Sequence, residues 1–378
     1  MLKNRLRHTT VRVNLGTRSY PIYLGPGVLS SLGSFFRAHD MPKSVVVITD
    51  SNVASIYLKR VQDSLRRSGF TVKSITIPAG EAQKNLRRAE EIFSSLLRWR
   101  VERRSTIVAL GGGVVGDLAG FIAATYQRGV RFVQIPTTLL AQVDSSVGGK
   151  VGVNHARGKN MVGAFYQPDF VVADISTLAT LPDREMVCGL GEVVKYGIIM
   201  NRNFFSYVAR HIGGILSRQK SVLTRIVGEC CRMKASVVSR DEREENVRAI
   251  LNFGHTVGHA LESGGKYKAL KHGEAILLGM IAETFAALRL GTISRKEASR
   301  IEAMVLSVPL PRTIGFTLVP SRLLASMRID KKVAEGRIRL VLPSRVGRVA
   351  LPVAVNERII LESLSYLEGF LLSKTLAK

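Results

Sequence analysis

Four polar side chains that could do chemistry recur at i, i+4, i+7 and i+11: Arg248, Asn252, His255 and His259. On one helix they would fall within roughly 60° of arc. Their neighbours Ile250, Leu251, Phe253 and Val257 are apolar, so the stripe is not a core face. An ordinary solvated face would carry Glu and Lys rather than two histidines and an asparagine, and the pattern therefore points to a functional stripe. From chemistry alone His255 and His259, at i and i+4, can share one zinc ion as the paired histidines of zinc proteases do. The glutamate that follows the first histidine in that motif is replaced by Thr256. His272, in His272-Gly273-Glu274 at the start of another helical pattern, is a third candidate. Glu192 and Lys195 stand at i and i+3, a spacing that on a surface gives an ion pair worth about 0.3 kcal/mol. Their surroundings, Gly189-Leu190-Gly191 and Val193-Val194, are small and apolar, which argues for burial and hence for a purpose.

A second kind of chemistry is written in Gly111-Gly-Gly-Val-Val-Gly-Asp117, which follows the strand-like Thr106 to Leu110 and opens a helix, Leu118 to Thr125. Glycines there let backbone N–H groups approach a pyrophosphate at a helix N-terminus, where the dipole favours anions. The string satisfies GxGxxG, but a lone match is unspecific, and the acidic residue usually found about 20 positions downstream is absent from Ile135-Pro136-Thr137. Asp50, at the end of an earlier strand, could instead hold a ribose, which requires a sheet order unlike the standard Rossmann half. Gly148-Gly149-Lys150 is not a Walker loop, because Asp144 and Val151 stand where that motif needs Gly and Ser/Thr.

The elements that must position these residues divide the chain. Val45 to Thr49, Thr71 to Ile77, Thr106 to Leu110 and Phe132 to Ile135 are short β-branched runs of the kind that parallel sheets bury on both faces. Ligands bind beyond the carboxyl edge of such sheets, so the loops beginning at Asp50, Ala79, Gly111 and Thr137 are candidates for one site. Past about residue 175 helical periodicity dominates, over Arg184 to Met200, Leu223 to Val238, Arg248 to Glu262 and His272 to Leu290. A strand-like pair, Arg337 to Leu342 and Arg348 to Val355, turns at Gly347. The expectation is an α/β domain over 1–174 and a helical domain over 175–378.

Composition narrows the partners. Lys plus Arg number 55 against 29 Asp plus Glu, a net charge of +26 that favours anions. The basic residues are scattered and aromatic residues are only 6%, so the stacking platforms of nucleic-acid binders are missing. An anionic small molecule is the expected partner, with no nucleic acid and no membrane. Cys188, Cys230 and Cys231 are odd in number and lack CxxC spacing, which fits a reducing compartment rather than a disulfide framework. Neither a signal-peptide pattern nor a run of ~18 apolar residues is present, so the expected location is the cytoplasm.

Several motifs then coincide in order: Gly111-Gly-Gly-Val-Val-Gly-Asp117, Pro136-Thr-Thr-Leu139, Asp144-Ser-Ser-Val-Gly-Gly-Lys150, Gly158-Lys-Asn160, Gly191-Glu-Val-Val-Lys-Tyr-Gly197, Leu251-Asn-Phe-Gly-His-Thr-Val-Gly-His259, His272-Gly-Glu274 and Asp330-Lys-Lys332. Together they resemble the 3-dehydroquinate synthase family of the sugar-phosphate cyclase superfamily, over roughly residues 20 to 355. The resemblance implies a Rossmann-like N-terminal domain holding NAD, a mainly α-helical C-terminal domain holding zinc or cobalt, and a homodimer. It implies Glu192, His255 and His272 as metal ligands, which moves His259 off the metal to the phosphate end of the substrate. Substrate contacts would fall on Arg128, Asp144, Lys150, Asn160, Lys195, Lys234, Arg248, Asn252 and one of Lys331 or Lys332. Cofactor contacts would fall on Asp50, Asn52, Glu81, Lys84, Gly113, Val114, Asp117, Thr137, Thr138, Lys159, Thr177 and Thr180. Ala82 and Cys188 depart from the polar residues common in the family.

The implied reaction oxidises a secondary alcohol with NAD, eliminates phosphate, reduces the ketone again and closes the ring by aldol addition. A substrate with both phosphate and carboxylate needs cationic and amide partners at two ends, which the residues above supply. The departing phosphate can serve as its own base, positioned by His259 and Asn160, in keeping with the lack of any obvious acid–base dyad. The alternatives are a related cyclase acting on a neutral sugar phosphate and a metal-dependent polyol dehydrogenase. The first is separated by substrate preference, the second by net NADH release.

Overall fold

The computed structural model describes residues 8–311, 314–328, 333–334 and 337–376, with only the backbone of 333–334 and 372–376. Asp330, Lys331 and Lys332 lie outside the described residues. The chain forms two compact units, Met1–Leu181 with Lys220–Glu242, and Pro182–Gln219 with Arg243–Lys378.

In the first unit the strands are β1 (Thr9–Val13), β2 (Tyr20–Gly25), β3 (Ser44–Asp50), β4 (Thr71–Ile77), β5 (Ser105–Gly111), β6 (Arg131–Pro136), β7 (Lys150–His155), β8 (Gly158–Phe165) and β9 (Phe170–Asp174). Among the described residues seven of them make one sheet in the order β1-β2-β9-β6-β5-β3-β4. β1 pairs antiparallel with β2, and every other pairing in the sheet is parallel. Burial explains the sequence of these strands. β5 and β9 are buried at every position, so they read as continuous apolar runs, whereas the edge strand β4 is exposed at several positions and carries Lys73 and Thr76. Alternate residues feed two cores, Val45, Val47, Val108 and Leu110 on one face, Val46, Ile48, Ile107 and Ala109 on the other.

The run β4-β3-β5-β6-β9 has the doubly wound 2-1-3-4-5 order, in which the chain reverses direction across the sheet between β3 and β5. Thr49 pairs with Leu110, so Asp50 and Gly111 leave the sheet side by side at this switch point. Helix α1 (Gly113–Thr125) starts there, five residues earlier than the sequence pattern suggested, because the glycines themselves take helical conformation.

The second unit carries α2 (Asp183–Met200) and α3 (Arg202–Leu216); α4 (Lys220–Val238) belongs to the first unit; α5 (His255–Gly264), α6 (His272–Arg289) and α7 (Arg295–Leu306) again belong to the second. The apolar face of α4, including Leu223, Ile226, Val227 and Cys231, is buried, and the helix packs on β1 and β2. Sequence periodicity grouped this helix with its neighbours in the chain, since an amphipathic stripe does not say which surface it covers.

Two expected elements are broken. The single helix over Arg248 to Glu262 is a 3-10 turn, Val247–Asn252, then a break at Phe253 and Gly254, then α5. Gly254 sits in the left-handed region with φ 77°, and a Cβ there would lie 2.7 Å from the Ile276 carbonyl oxygen, so both its conformation and its packing need glycine. The four-residue polar stripe therefore does not lie on one helix. The strand pair near the end also divides: Arg337–Leu340 pairs with Val353–Ala354, and Pro343–Arg345 pairs with Arg348–Val349 about Gly347.

Candidate active site

In the second unit α2 presents Glu192 and Lys195 inward, 0% and 2% exposed, so the surface ion pair considered for them is instead desolvated. The Lys195 ammonium lies against one oxygen of Glu192. Neither Glu192 oxygen accepts a hydrogen bond of good geometry among the described residues. Removing a carboxylate from water costs several kcal/mol unless it is paired or coordinates a metal; Lys195 pairs with Oε2, and Oε1 is left facing two histidines. The Nε2 atoms of His255 and His272 each lie 3.7 Å from Glu192 Oε1. The other ring nitrogens face elsewhere, His255 Nδ1 lying 3.2 Å from the Phe253 carbonyl oxygen and His272 Nδ1 3.3 Å from Glu262 Oε2. Donor atoms of Glu192, His255 and His272 lie within 4.8 Å of one another. Two imidazoles and a carboxylate suit zinc or cobalt, and three protein ligands leave coordination open for a substrate.

Local packing fixes this spacing. A Cβ on Gly191 would lie 2.6 Å from the Gly273 carbonyl oxygen, and one on Gly273 would overlap the Cys188 carbonyl oxygen at 1.8 Å. Helices α2 and α6 thus meet backbone to backbone beside Glu192 and His272. Arg184 on α2 adds a two-pronged pair to Glu274, both contacts 2.8 Å, and Glu274 in turn accepts the Lys271 N–H at the start of α6. Cys188 takes part structurally, its sulfur accepting the Gly273 N–H at 3.3 Å while burial pushes the thiol up to about 12. Glu283, fully buried on α6, accepts the N–H groups of Gly254 at 2.7 Å and Val257 at 3.4 Å, so a carboxylate holds the N-terminus of the helix that begins with His255.

Burial opposes a charge on the His272 imidazole, but the carboxylates of Glu192 and Glu262 beside it outweigh that, and its pKa is pushed up to about 9. His259 stands one turn along α5 from His255, the ring centroids 5.5 Å apart, outside the Glu192 group. The pairing of His255 with His259 on one ion, open on spacing alone, is displaced by the closer set from three helices. Asn252 donates to Glu244 at 2.7 Å, and Arg248 is buried in the same unit.

The first unit gathers a second set at the sheet's carboxyl edge. Buried Lys84 donates to Asp117 at 2.9 Å and to Asn160 at 2.6 Å, with Glu81 at 3.5 Å. Burial works against the charge on Lys84, yet the two carboxylates hold it above its usual range, while burial raises Asp117 despite the lysine. Lys159 lies 3.7 Å from Glu81, and Asn154 ties Glu81 to the backbone of Asn160. Nearby, Lys234 of α4 pairs with Asp144 at 2.8 Å. The N-terminus of α1 has no side-chain cap, and a Cβ on Gly112 or Gly113 would press on Thr138 or Ser145, so the glycine cradle is open to a phosphate group. Thr137 adds a buried hydroxyl without a hydrogen-bond partner among the described residues.

Other sequence-derived candidates fare differently. Asp50 caps the following helix through the N–H groups of Asn52 and Val53. Thr177 is buried with its hydroxyl shared between Asp174 and Gln142, and Thr180 bonds the Tyr57 hydroxyl at 2.6 Å, so both are spent on holding the loop. Val114 lies in the first turn of α1, and Lys150 is exposed at the head of β7. Arg128 precedes β6 and so sits at the amino edge of the parallel sheet, the end opposite to Gly113 and Thr137. The resemblance groups it with the substrate contacts, among them Asp144, which follows the carboxyl end of β6.

Comparison with known proteins decides what this arrangement belongs to. The 3-dehydroquinate synthase of Desulforamulus reducens is 48% identical over 356 residues, 94% of this chain and 99% of the relative. The chain belongs to the 3-dehydroquinate synthase family. Models described as 3-dehydroquinate synthase N-terminal and C-terminal match residues 74–188 and 189–333. The Pelotomaculum thermopropionicum 3-dehydroquinate synthase is also 48% identical, over 96% of this chain and 98% of its own. Among solved structures, 2-deoxy-scyllo-inosose synthase complexed with carbaglucose-6-phosphate, NAD+ and Co2+ superposes with a TM-score of 0.87 at 28% identity, covering 94% of this chain and 99% of that one. Against this 3-dehydroquinate synthase family background, the residues that sequence reasoning missed are Glu262 and Glu283. Each left a signal, one lying three positions past His259 and the other eleven past His272 on the same face of α6.

Proposed function

We propose that this protein is a 3-dehydroquinate synthase, converting 3-deoxy-D-arabino-heptulosonate 7-phosphate to 3-dehydroquinate and phosphate in the shikimate pathway. The observation that carries the reading is the buried Glu192 carboxylate, paired with Lys195 through one oxygen and converged on by His255 and His272 at the other, in a chain of this family. Glu192, His255 and His272 would hold one Zn2+ or Co2+. Residues 1–174 would hold NAD, with Gly113, Val114 and the α1 N-terminus at its pyrophosphate and Asp50, Asn52, Glu81, Lys84, Asp117, Thr137, Thr138 and Lys159 around it. Bound there, the metal would supply polarisation of a substrate hydroxyl and NAD a reversible hydride acceptor.

The chain's own residues supply binding and orientation. Lys195, buried beside Glu192, would present a desolvated charge to an anionic substrate, where a Coulomb interaction is far stronger than in water. Arg248 and Asn252 add a guanidinium and an amide in the same unit, and His259 stands ready to hold a phosphate oxygen. Within the first unit, Lys150, Lys234, Asp144 and Asn160 are the polar groups that the family resemblance assigns to substrate. No residue here stands out as a dedicated base, and proton removal by the departing phosphate fits that donor set. The protein acts in the cytoplasm as a homodimer on this reading; among the described residues no helix is long and apolar enough to cross a membrane. The test is phosphate release from the seven-carbon acid phosphate with and without NAD and a chelator. Release that needs both and leaves no net NADH supports the reading; release indifferent to chelation refutes it.

A further inference from the structure

His272 belongs to two overlapping sets of possible ligands, Glu192 with His255 and His259 with Glu262, and it cannot serve both with the same nitrogen. Its two ring atoms are already assigned by their neighbours. Nε2 faces Glu192 Oε1 at 3.7 Å, and Nδ1 faces Glu262 Oε2 at 3.3 Å. A neutral imidazole that offers one nitrogen to a metal must carry its proton on the other, and a carboxylate accepting that proton's hydrogen bond fixes both tautomer and ring plane.

We infer that Glu262 is a positioning residue for the metal centre, accepting the Nδ1–H of His272 and so presenting Nε2 to the ion, rather than being a ligand itself. The inference rests on the metal-dependent reading above. Three observations carry it. Glu262 is 4% exposed, so its charge is kept from water and its hydrogen bonds count nearly in full. It lies on α5, the helix of His255, while His272 begins α6, so one contact ties the two histidine-bearing helices together. Its carboxylate also lies within 4.8 Å of a ring nitrogen of His259, which places one acid behind the whole histidine cluster.

The test uses the full-length protein loaded with Co2+, whose visible spectrum reports ligand geometry and whose proton NMR shows the ring N–H of a coordinated histidine as a shifted, exchangeable resonance. Wild type is expected to bind one Co2+ with two such N–H resonances. Glu262→Ala should weaken Co2+ binding about 10- to 100-fold and speed solvent exchange of one N–H. Glu262→Gln keeps an acceptor oxygen at the same place, so it should recover most of the affinity and the slow N–H without altering the Co2+ bands; it also serves if the Ala variant fails to fold. Binding within threefold of wild type in both variants, with both N–H resonances unmoved, overturns the inference. So does a Gln variant as weak as Ala with altered bands, which would make Glu262 a ligand. A wild-type protein that takes up no Co2+ sinks the functional reading itself and this inference with it, whereas variants matching a wild type that binds sink this inference alone.

Discussion

Metal binding should be tightly linked to pH through His272. In the metal-free protein its imidazole is held protonated by Glu192 and Glu262 against the opposing effect of burial, with a pKa of about 9 against an ordinary 6.5. An ion takes Nε2 only when one proton leaves, so apparent affinity should rise about tenfold per pH unit up to about pH 9 and then flatten. At pH 7 the proton competes with an advantage of about two units, roughly a hundredfold or 2.7 kcal/mol. The assay is Co2+ titration of chelator-stripped protein between pH 7 and 9, read by the visible bands and corrected for a competing chelator of known proton affinity. Proton release measured in weak buffer should be close to one per ion bound at pH 7.5. Affinity that stays flat from pH 7 to 8.5, or binding without proton release, would show that His272 is neutral before the ion arrives and refute the reasoning.

The same shift has a counterpart in folding. A folded pKa raised above the unfolded one stabilises fully below pH 6.5 and loses that contribution as pH rises through about 9, so the metal-free protein should lose up to about 3 kcal/mol across this window, seen in urea unfolding. Glu192→Gln leaves the Lys195 charge buried without its counter-ion and should cost the metal-free protein about 3–5 kcal/mol by the same measurement, besides abolishing tight metal binding. Glu283→Ala strips the acceptor from two buried N–H groups at the head of α5 and should cost about 2–3 kcal/mol, with Glu283→Gln recovering part of it. Lys84→Met should weaken NAD binding measured by nucleotide fluorescence while leaving Co2+ affinity in place, since its partner Asp117 lies in the helix that the glycine turn opens.

How far the sequence could be read depended on the kind of signal each element left. β3, β5 and β6 were legible because strands buried on both faces are written as unbroken Val/Ile runs, and the glycine turn after β5 announced its own loop. The hairpin of β7 and β8 left no such run: half of β8 is exposed, and its residues Gly158, Lys159 and Asn160 look like a loop. Helical periodicity found α2 and α6 closely but ran straight through Gly254, since a single glycine does not say whether it is tolerated or required. The proposed metal set was beyond spacing altogether. Glu192 and His272 come from segments far from His255, and what spacing favoured was the local pair His255 and His259. Motif resemblance supplied the set that the coordinates bring together. It also grouped Arg128 with residues at the other end of the sheet and named Thr177 and Thr180, whose hydroxyls are occupied elsewhere.

The contact of α2 with α6 through Gly191 and Gly273 has a bearing on which ions the site admits. Helices already touching through their main chains have no side-chain cushion to yield, so the gap between Glu192 and His272 behaves as a gauge of fixed bore. Zn2+ and Co2+, nearly equal in size, would pass the same gauge, while a larger ion such as Ca2+ would have to force two backbones apart. On the proposed reading, selection by ionic radius would be written by two residues outside the ligand set.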